Sequence, residues 1–327
     1  MRYRKLASLI GIGVLIALLC SCTASTSLLT NEGSLPPADH SSSAKVVVTS
    51  DFGKEIFIEE TIVIGENTTA LDALQQVAGV ETKYGGGFVS AINSIGSEYG
   101  GADQQKKDWF FYINGMSTNI GAGQYILQDG DIEHWDFRGW GFRQFVPAII
   151  GDFPEPFLHG YSGVVYPTVI IYQDGWEEDA QRIADKLSQL GVEGIYTRSI
   201  NELSTDEKSS CNLILLGESN FQPIEEINQP WDRLGFYCYF QDSCLQVFDS
   251  VGKLAAEYEG KAGVIQATQS PWNPKGIGVC ENVVWMVSGL DEAGVRDAMN
   301  TLVNHDNDFQ YTGAIVIASG DTVRVPQ

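Results

Sequence analysis

KVVVTSDFGKEIFIEETIVIGENTTALDALQQV, residues 45–77, is the stretch on which the fold turns. Residues 45–50 carry Val46, Val47 and Val48 in succession, which predicts a strand. Asp51-Phe52-Gly53-Lys54 predicts a turn, and Ile56, Ile58, Ile62 and Ile64 alternate along a second strand over 56–64. Glu66-Asn67-Thr68-Thr69 offers an N-cap, and residues 70–77 place their apolar side chains at helical spacing.

Downstream, Gly85-Gly86-Gly87 lacks the Lys-Ser/Thr of a phosphate loop, so it predicts a tight turn or a close backbone approach. Asp108-Trp109-Phe110-Phe111-Tyr112-Ile113-Asn114-Gly115 follows. Four successive aromatics put two on each face of a strand. One pair can enter a core, and the other must be exposed or covered by a ligand or partner. Asn114-Gly115 and Gln128-Asp129-Gly130-Asp131 are turn signals, and 132–137 predicts a closing strand. A hairpin, one helix and then more strands is the order of an α+β, β-grasp-like domain over residues 45–140. His134 is expected to be a partly exposed strand histidine.

The series Phe88-Val89-Ser90-Ala91-Ile92-Asn93-Ser94-Ile95, Trp109-Phe110-Phe111, Gly121-Ala122-Gly123-Gln124-Tyr125 and a closing aromatic strand resembles the C-terminal β-domain of the transcobalamin and intrinsic factor family. That domain also has relatives among bacterial surface lipoproteins. The resemblance covers about 95 residues in order and spacing. It implies that this domain covers one face of cobalamin or a related corrinoid. By position, Met116, Ser117, Thr118, Asn119, Ile120 and Gly121 approach the ring, Phe111 or Tyr112 lines the cleft, and Asn114 lies between them. No counterpart of the family's helical barrel, which binds the other face, is read in this sequence.

Upstream, Arg2, Arg4 and Lys5 precede an uncharged run over 6–19, and Leu19-Cys20-Ser21-Cys22 resembles a bacterial lipobox. Residues 1–21 are expected to be a lipoprotein signal peptide, with Cys22 acylated and anchored in the membrane, facing outside the cytoplasm. Residues 22–44, rich in Ser and Thr with Pro36-Pro37, are expected to form a flexible tether.

Beyond the first domain, 141–165 combines Pro147, Pro154 and Pro156 with several Gly and Phe residues and predicts a stiff connector. From residue 166 strands and helices alternate, predicting an α/β domain over 166–327 with a mostly parallel sheet. Part of it, from Gln269-Ser270-Pro271-Trp272 through Val295, resembles α/β domains near the ends of some microbial surface-layer proteins, which implies a structural or interaction role. Trp272, between two prolines near a sheet end, is a candidate for stacking on a ligand.

The 327 residues carry 42 acids against 20 bases, a net charge of −22, which argues against nucleic-acid binding. No GxSxG, HExxH or GxGxxG occurs, and histidines number four, so no catalytic residues, required cofactor or metal site are expected. Cys211, Cys238, Cys244 and Cys280 have no CxxC spacing. Cys238 and Cys244 either pair across a hairpin or stay as thiols. The combined expectation is a lipid-anchored binding protein that passes a corrinoid to a transporter component. The alternative is a cell-envelope adhesion or structural protein.

Overall fold

The computed structural model describes residues 41–84, 87–99, 106–304 and 309–327. Cys22, the signal peptide, most of the tether, Gly85 and Gly86 lie outside the described residues. Residues Ser41–Gln327 form one compact unit.

The first part runs β1 (Ser43–Ser50), β2 (Glu55–Val63), α1 (Ala70–Val77), β3 (Val80–Lys83), β4 (Phe88–Ile92), β5 (Ile95–Gly96), β6 (Glu98–Tyr99), β7 (Lys106–Ile113), β8 (Met116–Ser117) and β9 (Ile132–Gly139). Its main sheet has the order β2-β1-β9-β7-β6, with β8 beside β7. β1 pairs antiparallel with β2 and parallel with β9, the arrangement that a hairpin plus a crossover helix dictates. Thr69 caps α1 as expected: its hydroxyl accepts from Asp72 N, and Asp72 in turn accepts from Thr69 N. Ser43 and Ala44, expected in the tether, belong to β1, where Ala44 is buried.

The second part runs β10 (Thr168–Tyr172), α2 (Glu177–Gln189), β11 (Ile195–Ser199), α3 (Thr205–Ser210), β12 (Asn212–Glu218), α4 (Gln222–Asn228), β13 (Cys238–Gln241), β14 (Cys244–Phe248), β15 (Leu254–Glu259), β16 (Ala262–Gln269), β17 (Val283–Gly289), α5 (Glu292–Asn304), β18 (Ala314–Ala318) and β19 (Asp321–Val325). Its seven-stranded sheet has the order β11-β10-β12-β17-β16-β18-β19. The first four strands are parallel, and β16, β18 and β19 continue antiparallel, so the sheet is mixed. Helices α2 and α5 cover one face. Helix α4 and the small β13-β14-β15 sheet cover the other.

The stretch expected to be a connector is interior. Val146, Ala148, Ile149, Ile150 and Phe157 are buried, and Gly151 trades backbone hydrogen bonds with Tyr311 and Thr312. A Cβ on Gly151 would lie 2.1 Å from Thr312 N, so only glycine permits this approach. The segment forms a wedge packed against both parts. The result is two apolar clusters, each drawing on both parts. One joins α1 and its sheet face to Trp285, α2 and α5; the other joins Phe52 and Tyr112 to α4 and the small sheet.

Candidate functional site

The strand of four aromatics divides as its alternation requires. Trp109, Phe111 and Ile113 face α1 with Trp135 and Phe137; Phe111 stacks on Trp135 at 4.6 Å and Trp109 meets Phe137 at 5.0 Å. Phe110 and Tyr112 face the other way and are covered by the chain's own second part. Over them lies a polar layer of Thr49, His134, Asp136, Arg138 and Asp152, all buried.

His134 is therefore fully buried, a correction to its expected exposure, and it has an orienting acid. Its Nδ1 lies 3.0 Å from Asp152 Oδ1 and its Nε2 lies 2.9 Å from Thr49 Oγ1. The Thr49 hydroxyl donates to Asp136 Oδ1 at 2.7 Å, so Nε2 must donate to Thr49 and the ring is an imidazolium. Burial pulls the His134 pKa down, but the charge and hydrogen bond of Asp152, with Asp136 behind, outweigh it and leave it raised. The Thr–His–Asp order resembles a nucleophile chain, yet this hydroxyl is turned to a carboxylate and sealed from solvent. Alternation alone could not reveal the pairing, because Asp152 sits in the wedge, 18 residues away.

The sequence-predicted site residues split into a packed end and an open end. Tyr112, Asn114 and Met116 are buried. The Tyr112 hydroxyl accepts from Arg138 at 3.1 Å. Asn114 is a structural bracket: Nδ2 donates to Asp131 Oδ1 and Gly160 O, and Oδ1 accepts from Ile132 N. Met116 bridges to Ala148. Ser117 O accepts from Gln269 Nε2 and Cys280 Sγ. The Thr118 hydroxyl closes onto Ile120 O, and Asn119 reaches Val279 O and Tyr161. Ile120 is exposed and Phe111 half-buried.

Of this set, Gly121 borders a cleft. The cleft measures about 500 Å³ and is lined by Thr69, Leu71, Asp72, Tyr84, Gly87, Gly121, Gly123 and Gln124. Backbone hydrogen bonds join two of the segments that line it. Leu71 N donates to Ala122 O and Ala70 N to Tyr125 O, which lock loop 121–125 onto the start of α1. A Cβ on Gly121 would stand 3.2 Å from Gly87 O, a tight contact, so glycine here lets the two backbones lie close. Tyr84 stands 89% exposed at the rim, with its ring edge against Phe88 at 6.4 Å. Hydrogen bonds from Thr69 hold the Asp72 carboxyl below its usual range, so it is ionised here. Sequence reasoning missed Tyr84, Leu71, Asp72 and Gln124, which only the packing of α1 on the loop brings together.

Trp272 is half-buried, and Lys208 Nζ lies 4.4 Å from the centre of its ring. A second cleft, about 440 Å³, opens at the carboxyl end of β12 among Ser219, Asn220, Glu225, Gln229 and Asp242. Cys238 and Cys244 do not pair across their hairpin; the four described cysteines are free thiols. Among the described residues no group of three or more His, Cys, Asp or Glu is placed to hold a metal ion, and no helix is long and apolar enough to cross a membrane.

Residues 67–139 match a family model described as a domain of unknown function (DUF4430). No curated protein matches this sequence. Among solved structures, haptocorrin in complex with Cbi is similar over 31% of this chain and 26% of its own, with 13% identity and a TM-score of 0.25. This chain thus spans about a quarter of that protein's length. A candidate metal binding protein from Ruminococcus gnavus is similar over 30% of this chain and 97% of its own, with 16% identity and a TM-score of 0.23. Likenesses of this extent assign no ligand.

Proposed function

We propose that this chain is a non-catalytic binding protein whose cleft between α1, Tyr84 and loop 121–124 takes one face of a corrinoid. The observation that carries this reading is the cleft itself, where Gly87, Gly121 and Gly123 bring backbone to the lining beside Leu71 and the exposed Tyr84 ring. A broad, flat ring with amide arms needs area and close backbone contact more than charge. Leu71 and the exposed Tyr84 ring supply apolar walls, and Gln124 and Thr69 supply polar groups for the amides. A cleft of about 500 Å³ covers such a ligand on one side and leaves the other to a partner. The resemblance to the transcobalamin and intrinsic factor β-domain names the ligand class. The lipobox-like Leu19-Cys20-Ser21-Cys22 supports a lipid anchor at Cys22 on the outer side of a membrane, from which the protein would hand the ligand to a transporter component.

The test is calorimetric and spectral titration of residues 41–327 with cyanocobalamin and cobinamide. Micromolar or tighter binding, weakened at least tenfold by Tyr84→Ala and by Gly121→Trp, is the expected result. No heat and no spectral shift at millimolar ligand would overturn the reading. A cell-envelope contact role then takes its place, favoured by edge strand β2 with Ile56, Phe57 and Val63 exposed.

A further inference from the structure

The cleft beside α1 offers hydrogen-bond acceptors and withholds cationic donors. Of its described lining residues Asp72 is the one ionised group, and none is Lys, Arg or His. A helix start ordinarily attracts anions through its free N–H groups. Those in the first turn of α1 are already bonded. Ala70 N donates to Tyr125 O, Leu71 N to Ala122 O, Asp72 N to Thr69 Oγ1 and Ala73 N to Thr69 O.

The same cap holds the Asp72 side chain in place. Its Oδ2 accepts from Thr69 N at 3.1 Å and from the Thr69 hydroxyl at 2.6 Å. Both bonds fall on one oxygen. Oδ1 has no hydrogen-bond partner among the described residues, and Asp72 is exposed. A carboxylate oxygen left free beside a cleft accepts an N–H about twice as strongly as a neutral acceptor does. It repels a second carboxylate brought to the same place. The net charge of −22 adds to that repulsion at longer range.

Resting on the corrinoid reading above, we infer that Asp72 selects the ligand by its arms: Oδ1 accepts an amide N–H, so the cleft takes corrinoids whose arms end in amides and rejects those whose arms end in carboxylates. The ring is common to both kinds, so Leu71 and Tyr84 hold it without telling them apart. Asp72 is thus a specificity residue. Because it is exposed, its share of the discrimination is a few-fold rather than a thousandfold.

The probes are cobinamide and cobyrinic acid, the same ring with carboxylates in place of the amides, titrated into the compact unit 41–327 at neutral pH. The native protein should bind cobinamide about tenfold more tightly or better. Asp72→Asn removes the charge and keeps an oxygen to cap Thr69 N. It should weaken cobinamide about threefold and strengthen cobyrinic acid about threefold. A loosened α1 would instead weaken both. Asp174→Asn makes the same charge change at an exposed turn outside the cleft and should leave the ratio of the two affinities as it was. If the two ligands bind equally, or Asp72→Asn shifts both in the same direction, Asp72 does not select and the corrinoid reading stands. If neither ligand binds, the corrinoid reading falls and this inference with it.

Discussion

The two faces of the first sheet are built from the same strands in opposite chemistries. Toward α1 the residues are Val46, Val48, Trp109, Ile113, Trp135 and Phe137, an apolar layer closed by Leu74 and Ala73. Away from α1 they are Thr49, Tyr112, His134, Asp136 and Arg138, a charged layer closed by Asp152 and the aromatics of the second part. The first layer meets α1 within the first 140 residues and is continued by Ile150, Phe153 and Trp285. The second has no partners until the wedge and the second part arrive. Burying charge this way is tolerable only when every member is paired, so the polar face demands one docking geometry where the apolar face demands only area.

Breaking the polar face should cost most. Asp152→Ala strands the His134 imidazolium and is expected to lose about 3–5 kcal/mol in urea unfolding at pH 6. The loss should shrink as pH rises through the raised folded pKa of His134. An equal loss from pH 6 to pH 9 would mean that the charge on His134 does not change over that range. On the apolar face, Leu74→Ala is expected to lose about 2–5 kcal/mol, with no pH dependence. Because both apolar clusters draw on both parts, each variant should still unfold in one transition followed by tryptophan fluorescence.

The pH dependence sharpens the contrast. His134 has a folded pKa above the unfolded value, so its stabilisation is complete below about pH 6.5 and is lost as pH rises through the folded pKa. Glu133, on the apolar face, is pushed well above the usual carboxylate range by burial. Its Oε1 accepts from Trp135 Nε1 at 2.6 Å while Oε2 is orphaned, so the buried form is the protonated acid. It also withdraws stability as pH rises, starting above the unfolded carboxylate value. Glu133→Gln keeps the Trp135 bond without a titrating proton. Urea midpoints from pH 5 to 8 should fall less steeply in this variant, and a steeper fall would contradict the assignment. The smallest effect is expected from Thr69→Ala, which removes the α1 cap beside the cleft for about 1 kcal/mol. The cleft should survive it, since Leu71 and Ala70 still bond loop 121–125 through the backbone.

Much of the fold was legible because its signals are local. Helix α1 follows from its apolar spacing and the Thr69 cap, and β17 from its unbroken run of apolar residues. Strand β19, with sequence DTVRV, and β15 carry weak alternation at an edge and were not anticipated. The half-sided aromatics of β7 required a cover, but alternation cannot say that the cover is the same chain. The candidate site was legible only in part for the same reason. Loop 116–121 reads as one small-residue segment, yet Gln269 and Cys280, more than 150 residues away, pin its first half against the second part. The open half meets Tyr84 and α1 at one cleft, a juxtaposition that spacing along the chain does not reveal.

The place of β1 in its sheet has a mechanical consequence. It lies between β2 and β9, hydrogen-bonded along both edges, and it is the first strand of the folded unit. A load entering at Ser43 runs along the strand axis and is resisted by two ladders in shear, so their bonds must fail together rather than peel one at a time. The turn after β1 is clasped by Arg324, whose Nη2 donates to Phe52 O and Gly53 O. Tension applied at Ser43 is thereby carried into β19 instead of being spent on the first hairpin.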